Sequence, residues 1–112
     1  MTAPAPKFGA VLVDEFQRLD ERLFVYTSLR RNVVAMLSAN KAEIELCHRE
    51  LRRINALSSK SRREALPEYQ SRARAAYKSR KALELILSHY DSRIKAITEN
   101  ISRKLLELAD RL

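Results

Sequence analysis

The sequence predicts an all-helical protein, and three observations carry that reading. Glycine occurs once in 112 residues, at position 9. Sheet folds lean on tight turns in which glycine and Asn-Gly pairs supply positive φ angles, so so little glycine argues strongly against them. Apolar residues recur at alternating steps of four and three along most of the chain, the spacing that forms one face of helices packed in a left-handed coil. Aromatic residues make up only 6% and Trp is absent, so the core must be built from Leu, Ile, Val and Ala. A chain of this length has room for one domain.

Residues 1–9 carry Pro4 and Pro6 among small residues and read as a flexible N-terminal tail, leaving residues 10–112 as a single helical bundle domain. The first apolar stripe runs Leu12, Phe16, Leu19, Leu23, Tyr26, Arg30, Val33, Leu37, Asn40, Ile44, Cys47, Leu51, Ile54. Its two polar members, Arg30 and Asn40, are expected where the seam opens toward water or the helix is locally interrupted. The strongest stop is Leu57-Ser58-Ser59-Lys60-Ser61, because serines lower helix propensity and offer N-caps. Ser61 with Glu64 fits a capping box. The next helix is therefore expected to start near Arg62 and to bend at Pro67, where proline removes a hydrogen bond.

The stripe resumes as Leu66, Tyr69, Ala73, Ala76, Arg80, Leu83, Leu87, Tyr90, Ile94, Ile97, Ile101, Leu105, Leu108, Leu112, with a slip in phase between 97 and 105. Ser88-His89-Tyr90-Asp91-Ser92 is the least helical stretch of this half, and Asp91 or Ser92 would cap a third helix. Two architectures follow: an elongated antiparallel three-helix bundle with left-handed coiled-coil-like packing, or a long two-helix antiparallel hairpin. Phe24, Val25, Leu29, Leu85, Ile86 and Leu106 widen the stripe beyond what a two-stranded seam covers, which favours the three-helix form. Either is expected to be a monomer.

The same composition excludes several chemistries. One Cys and two His are too few for a structural zinc site without carboxylate help, and a lone Cys makes no internal disulfide. A free thiol points to a reducing compartment, and the opening residues lack the basic-then-apolar pattern of a signal peptide, so a cytoplasmic location is expected. No apolar run is long enough to span a membrane, and no glycine-rich loop cradles a phosphate. No cofactor, metal or catalytic residue is expected. Cys47 lies on the stripe and reads as a small buried hydrophobe. Tyr26, Tyr69 and Tyr77 read as aromatics at the core's edge and His48 as a surface residue. Ser88, His89 and Asp91 are too close in sequence to converge as a catalytic group.

The formal charge is +8, from 22 Lys+Arg and 14 Asp+Glu. Residues 41–81 hold 12 basic and five acidic side chains, while residues 82–112 hold five of each. The excess thus belongs to the middle third, which would attract a polyanion. A nucleic-acid partner is one expectation. Against it stand the absence of a turn-linked recognition helix, of aromatic interleaving and of a zinc module. An acidic protein surface is an equally good partner for such charge. Gln70, Arg74, Lys78 and Lys81 follow helical spacing on the side away from Ala73, Ala76 and Leu83, and so form one polar, mostly basic ridge.

One segment carries a family signature. Leu66-Pro67-Glu68-Tyr69-Gln70-Ser71-Arg72-Ala73-Arg74-Ala75-Ala76-Tyr77 resembles the part of the tubulin-binding cofactor A family in which an aliphatic-Pro-acidic group precedes Gln, a basic residue and Ala-Ala-Tyr. Gln17-Arg18-Leu19-Asp20-Glu21 followed by Tyr26 is similar to that family's first helix, and Tyr26 stands 41 residues before Pro67, near the family's spacing. The chain departs from the family in its Ser59–Glu64 stretch and in its +8 charge. The resemblance implies an elongated three-helix bundle and a cytosolic, non-enzymatic chaperone that needs no nucleotide. Members of the family hold β-tubulin after it leaves the chaperonin, on the route to the αβ heterodimer. The resemblance further implies that Glu68, Gln70, Arg72 and Arg74 contact the partner, and helical spacing continues that face through Lys78 and Lys81. It gives Pro67 and Tyr77 the bend and its packing. Tubulin is strongly acidic, which would give the basic face its purpose.

Overall fold

A computed structural model describes the backbone of residues 5–111 and the side chains of residues 10–111. Two helices account for nearly all of it: α1, Ala5–Asn55, of 51 residues, and α2, Ser59–Arg111, of 53 residues. No strand occurs among the described residues. Of the expected N-terminal tail, residues 1–4 lie outside the described residues, and residues 5–9 belong to α1. Pro6 is tolerated there because the first N–H groups of any helix have no partner within it.

The turn forms where the serines predict it, with different caps. At the end of α1, Ala56 N–H donates to Arg53 O at 3.2 Å and Leu57 N–H to Ile54 O at 3.0 Å, the tightened i→i−3 bonds that serve orphan carbonyls at a helix end. No described non-Gly residue has a positive φ, so the chain reverses without a left-handed residue. Ser58, rather than Ser61, is the N-cap of α2: its carbonyl accepts from Arg62 N–H at 2.9 Å, and its hydroxyl lies 3.5 Å from Ser61 N. The expected start near Arg62 is therefore three residues late. Pro67 sits inside α2 without ending it. It is exposed, so water can reach the Arg63 carbonyl that its ring leaves without a donor.

The three-helix expectation gives way to its two-helix alternative at residues 88–92. These remain helical despite their weak propensity, because Leu87, Tyr90 and Ile94 continue the half-buried face through them, and tertiary packing outweighs intrinsic preference. Asp91, expected as a cap, instead accepts a hydrogen bond from Arg30 Nε of α1.

Packing divides the chain into two units, residues up to Arg31 with those from His89 onward, and Asn32–Ser88. In the first unit the two helix segments run antiparallel. Leu19 and Ile97 are buried, the Tyr26 and Tyr90 rings lie 6.0 Å apart, and Lys104 Nζ reaches Glu15 Oε2 at 2.8 Å. The predicted phase slip is absent here: Lys104 takes the half-buried position after Ile101, and Leu105 is left 52% exposed. Leu112, the last stripe residue, lies outside the described residues.

The second unit is a helical hairpin closed by the turn at residues 56–58. Val33, Ile44, Cys47, Ile54, Ala76 and Leu83 form its core, with Cys47 and Ile54 fully buried. Asn40 interrupts neither the helix nor the seam. Its amide N–H donates to Ala76 O at 2.9 Å, and its Oδ1 is buried without a hydrogen-bond partner. The surplus apolar residues that suggested a third helix stand on the outside of both helices, with Phe24 72%, Leu85 74% and Leu106 67% exposed.

Candidate functional site

The most distinctive polar surface belongs to the hairpin unit, and the helix period explains its layout. On α2, Leu66, Tyr69, Ala73, Ala76 and Leu83 turn inward. Residues out of phase with that stripe must face outward, and Glu68, Gln70, Arg74, Lys78 and Lys81 are all exposed. The ridge predicted from spacing is thus present as a surface. Arg80, a stripe position by spacing, is exposed as well and pairs with Glu84 at 2.8 Å.

Arg72 behaves differently from its neighbours. It lies half-buried beside the seam and grips Glu43 of α1, with Nε 2.9 Å and Nη2 2.7 Å from Oε1, and Nη2 3.0 Å from Oε2. Its guanidinium also stands 5.2 Å from the Tyr69 ring centroid, a cation–π arrangement. The hydrogen bonds to Glu43 raise the Arg72 pKa further above its ordinary value, so the side chain is a fixed cation committed to its own fold. A residue expected to touch a partner turns out to join the two helices.

The same carboxylate reaches the core. Cys47 Sγ lies 3.7 Å from Glu43 Oε1. Burial, chiefly, and then the neighbouring Glu43 charge push the thiol's pKa up, with Arg72 opposing. A thiol held protonated and fully buried is a poor nucleophile, consistent with its reading as a small hydrophobe.

Across the seam, Tyr77 Oη lies 2.8 Å from His48 Nε2, and the two rings are 5.9 Å apart. Helical side chains lean toward the N-terminus of their own helix, so in an antiparallel pair both reach into the same gap. Tyr77 is 41% exposed, so it is an edge aromatic rather than a packed one. Tyr26 sits half-buried against Tyr90 in the other unit. Pro67 lies exposed on α2.

His48 is exposed, as its surface reading expects, but its contact with Tyr77 and that of Glu43 with Arg72 are not anticipated from the sequence. Both flank the stripe directly, Glu43 before Ile44 and His48 after Cys47, and flanking positions of an antiparallel pair meet their counterparts on the facing helix. That spacing was the available signal. Among the described residues no group of three His, Cys, Asp or Glu is placed to hold a metal ion. No described helix is long and apolar enough to cross a membrane.

These features define an antiparallel helix-pair protein whose exposed polar chemistry is dominated by cations on one unit. Compared with protein-family models, curated proteins and solved structures, the chain matches none of them.

Proposed function

We propose that this chain is a non-enzymatic, cytoplasmic chaperone that holds β-tubulin after release from the chaperonin and supports assembly of the αβ heterodimer. It would act as a monomer without a cofactor. One observation carries the reading: Gln70, Arg74, Lys78 and Lys81 lie exposed at three-to-four spacing on α2, in and beside the Leu66–Tyr77 segment that resembles tubulin-binding cofactor A. Such a ridge suits an acidic protein by charge complementarity. The seam residues supply stability, and their four-and-three spacing supports left-handed coiled-coil packing within each unit. The test is titration of purified tubulin with the full chain and with Arg74→Glu/Lys78→Glu. Binding by the parent that weakens in the variant is expected. Equal binding by both, or none by the parent, overturns the reading.

A second reading, a structural subunit of a larger helical assembly, is favoured by the exposure of Phe24, Leu85 and Leu106. Large exposed apolar side chains mark surfaces that other chains cover. It requires concentration-dependent association in sedimentation, whereas the chaperone reading requires a monodisperse monomer.

A further inference from the structure

The cations around the hairpin turn form a second surface, distinct from the α2 ridge. Residues 49–63 hold Arg49, Arg52, Arg53, Lys60, Arg62 and Arg63 against a single carboxylate, Glu50. Glu50 is committed to Arg53 at 2.8 Å, and among the described residues the other five cations have no ion pair. Arg49 and Arg52, with His48 and Glu45, line a depression of about 310 Å³ beside the turn.

Folding accounts for only part of this cluster. Arg52 and Arg53 occupy the last turn of α1, where a positive charge suits the negative end of the helix dipole. Lys60, Arg62 and Arg63 stand at the opposite pole, in the opening turns of α2, whose first turn holds no acidic residue. Cations there oppose the dipole, so the structure carries a local electrostatic cost that a bound anion would relieve.

The neighbourhood also discriminates between anions. Protein interfaces are anchored by exposed aromatic or aliphatic side chains, and at the turn itself no large apolar side chain from Arg49 to Arg63 is exposed. Single-stranded nucleic acids are held by stacking on free aromatic rings, and the rings on either side of the turn are engaged, His48 with Tyr77 and the half-buried Tyr69 with the Arg72 guanidinium. What remains is a dense set of guanidinium donors, which fit phosphodiester oxygens and require no base contact. We infer that the hairpin turn is a binding site for the phosphate backbone of a nucleic-acid duplex, read without sequence preference.

The test is fluorescence anisotropy of the full chain with a 20-base-pair DNA duplex, the matching RNA duplex and a single strand, at 50 and 200 mM salt. If about four phosphates are neutralised, affinity for a duplex should fall roughly a hundredfold between the two salts. Arg49→Gln/Arg62→Gln/Arg63→Gln should lower the slope of log affinity against log salt by about 2–3, while Arg74→Glu/Lys78→Glu keeps most duplex binding. Melting followed by circular dichroism guards the comparison: the triple variant should melt close to the parent, because Arg62 and Arg63 stand at the wrong end of the α2 dipole and Arg49 is an exposed charge. No duplex binding at 50 mM salt overturns the proposal. So does a triple variant that binds like the parent, or displacement of the duplex by polyglutamate at equal charge. None of these outcomes touches the tubulin titration, which reads other residues.

Discussion

Arg72 and Glu43, 29 residues apart in sequence, are joined by three hydrogen bonds across the hairpin. The pair sits one position before the stripe on both helices and closes one side of the seam, as the Tyr77–His48 contact closes the other. Arg74, two residues on, faces water. Two arginines of the same motif therefore have opposite duties.

Substitution should separate them. Arg72→Gln is expected to lower the melting temperature, and its effect should not add to that of Glu43→Gln, since each variant removes the same contact. Arg74→Gln should stay within about 0.5 kcal/mol of the parent. Thermal melts of the parent, the three single variants and Glu43→Gln/Arg72→Gln check this; additivity at 43 and 72 would show that the pair is not coupled.

Leu83→Ala is expected to do what ridge variants do not. Leu83 is buried, and truncating a buried leucine costs about 2–5 kcal/mol through lost transfer energy and the cavity left behind. Chemical denaturation should register that loss, while Arg74→Glu/Lys78→Glu leaves the unfolding midpoint nearly in place and weakens only binding.

Asn40 should be the opposite case, a seam residue whose replacement stabilises. Its Oδ1 is buried and unpartnered, a cost of about 1–3 kcal/mol. Its one hydrogen bond goes to Ala76 O, a carbonyl inside α2 that keeps its helical donor. Asn40→Leu is expected to raise the melting temperature and, as with other buried polar seam residues, to relax the alignment of the helices. A lower melting temperature would mean that the Ala76 bond outweighs the orphaned oxygen.

The Cys47 thiol should resist alkylation in the folded protein and react once denaturant is added. Its pKa is raised on folding, so the folded state binds this proton more tightly than the unfolded state does. The associated stability is complete below the ordinary thiol pKa and is lost as pH climbs through it toward the raised folded value. Melting temperatures from pH 7 to 10 should therefore fall faster for the parent than for Cys47→Ala. Parallel curves would refute the linkage.

The helical class, the turn near Ser58 and the inward face of both helices were legible in the chain itself. Every stripe position from Leu12 to Ile54 is buried or half-buried except Arg30, because the four-and-three period depends only on helix geometry. Exposure of the ridge followed from the same period. Helix count did not. Ser88–Ser92 is locally weak, and only the packing of Leu87, Tyr90 and Ile94, with Asp91 drawn to Arg30, carries α2 through it. The seam's final phase was likewise decided by tertiary contact, where Lys104 displaced Leu105 by reaching Glu15. Arg72 and Arg74 look equivalent as residue types, and their division into structural cation and free cation depended on which one Glu43 could reach. Local periodicity tells which side of a helix is buried. Which charges are used up within the fold depends on the register between two helices, a long-range property that no short stretch of sequence contains.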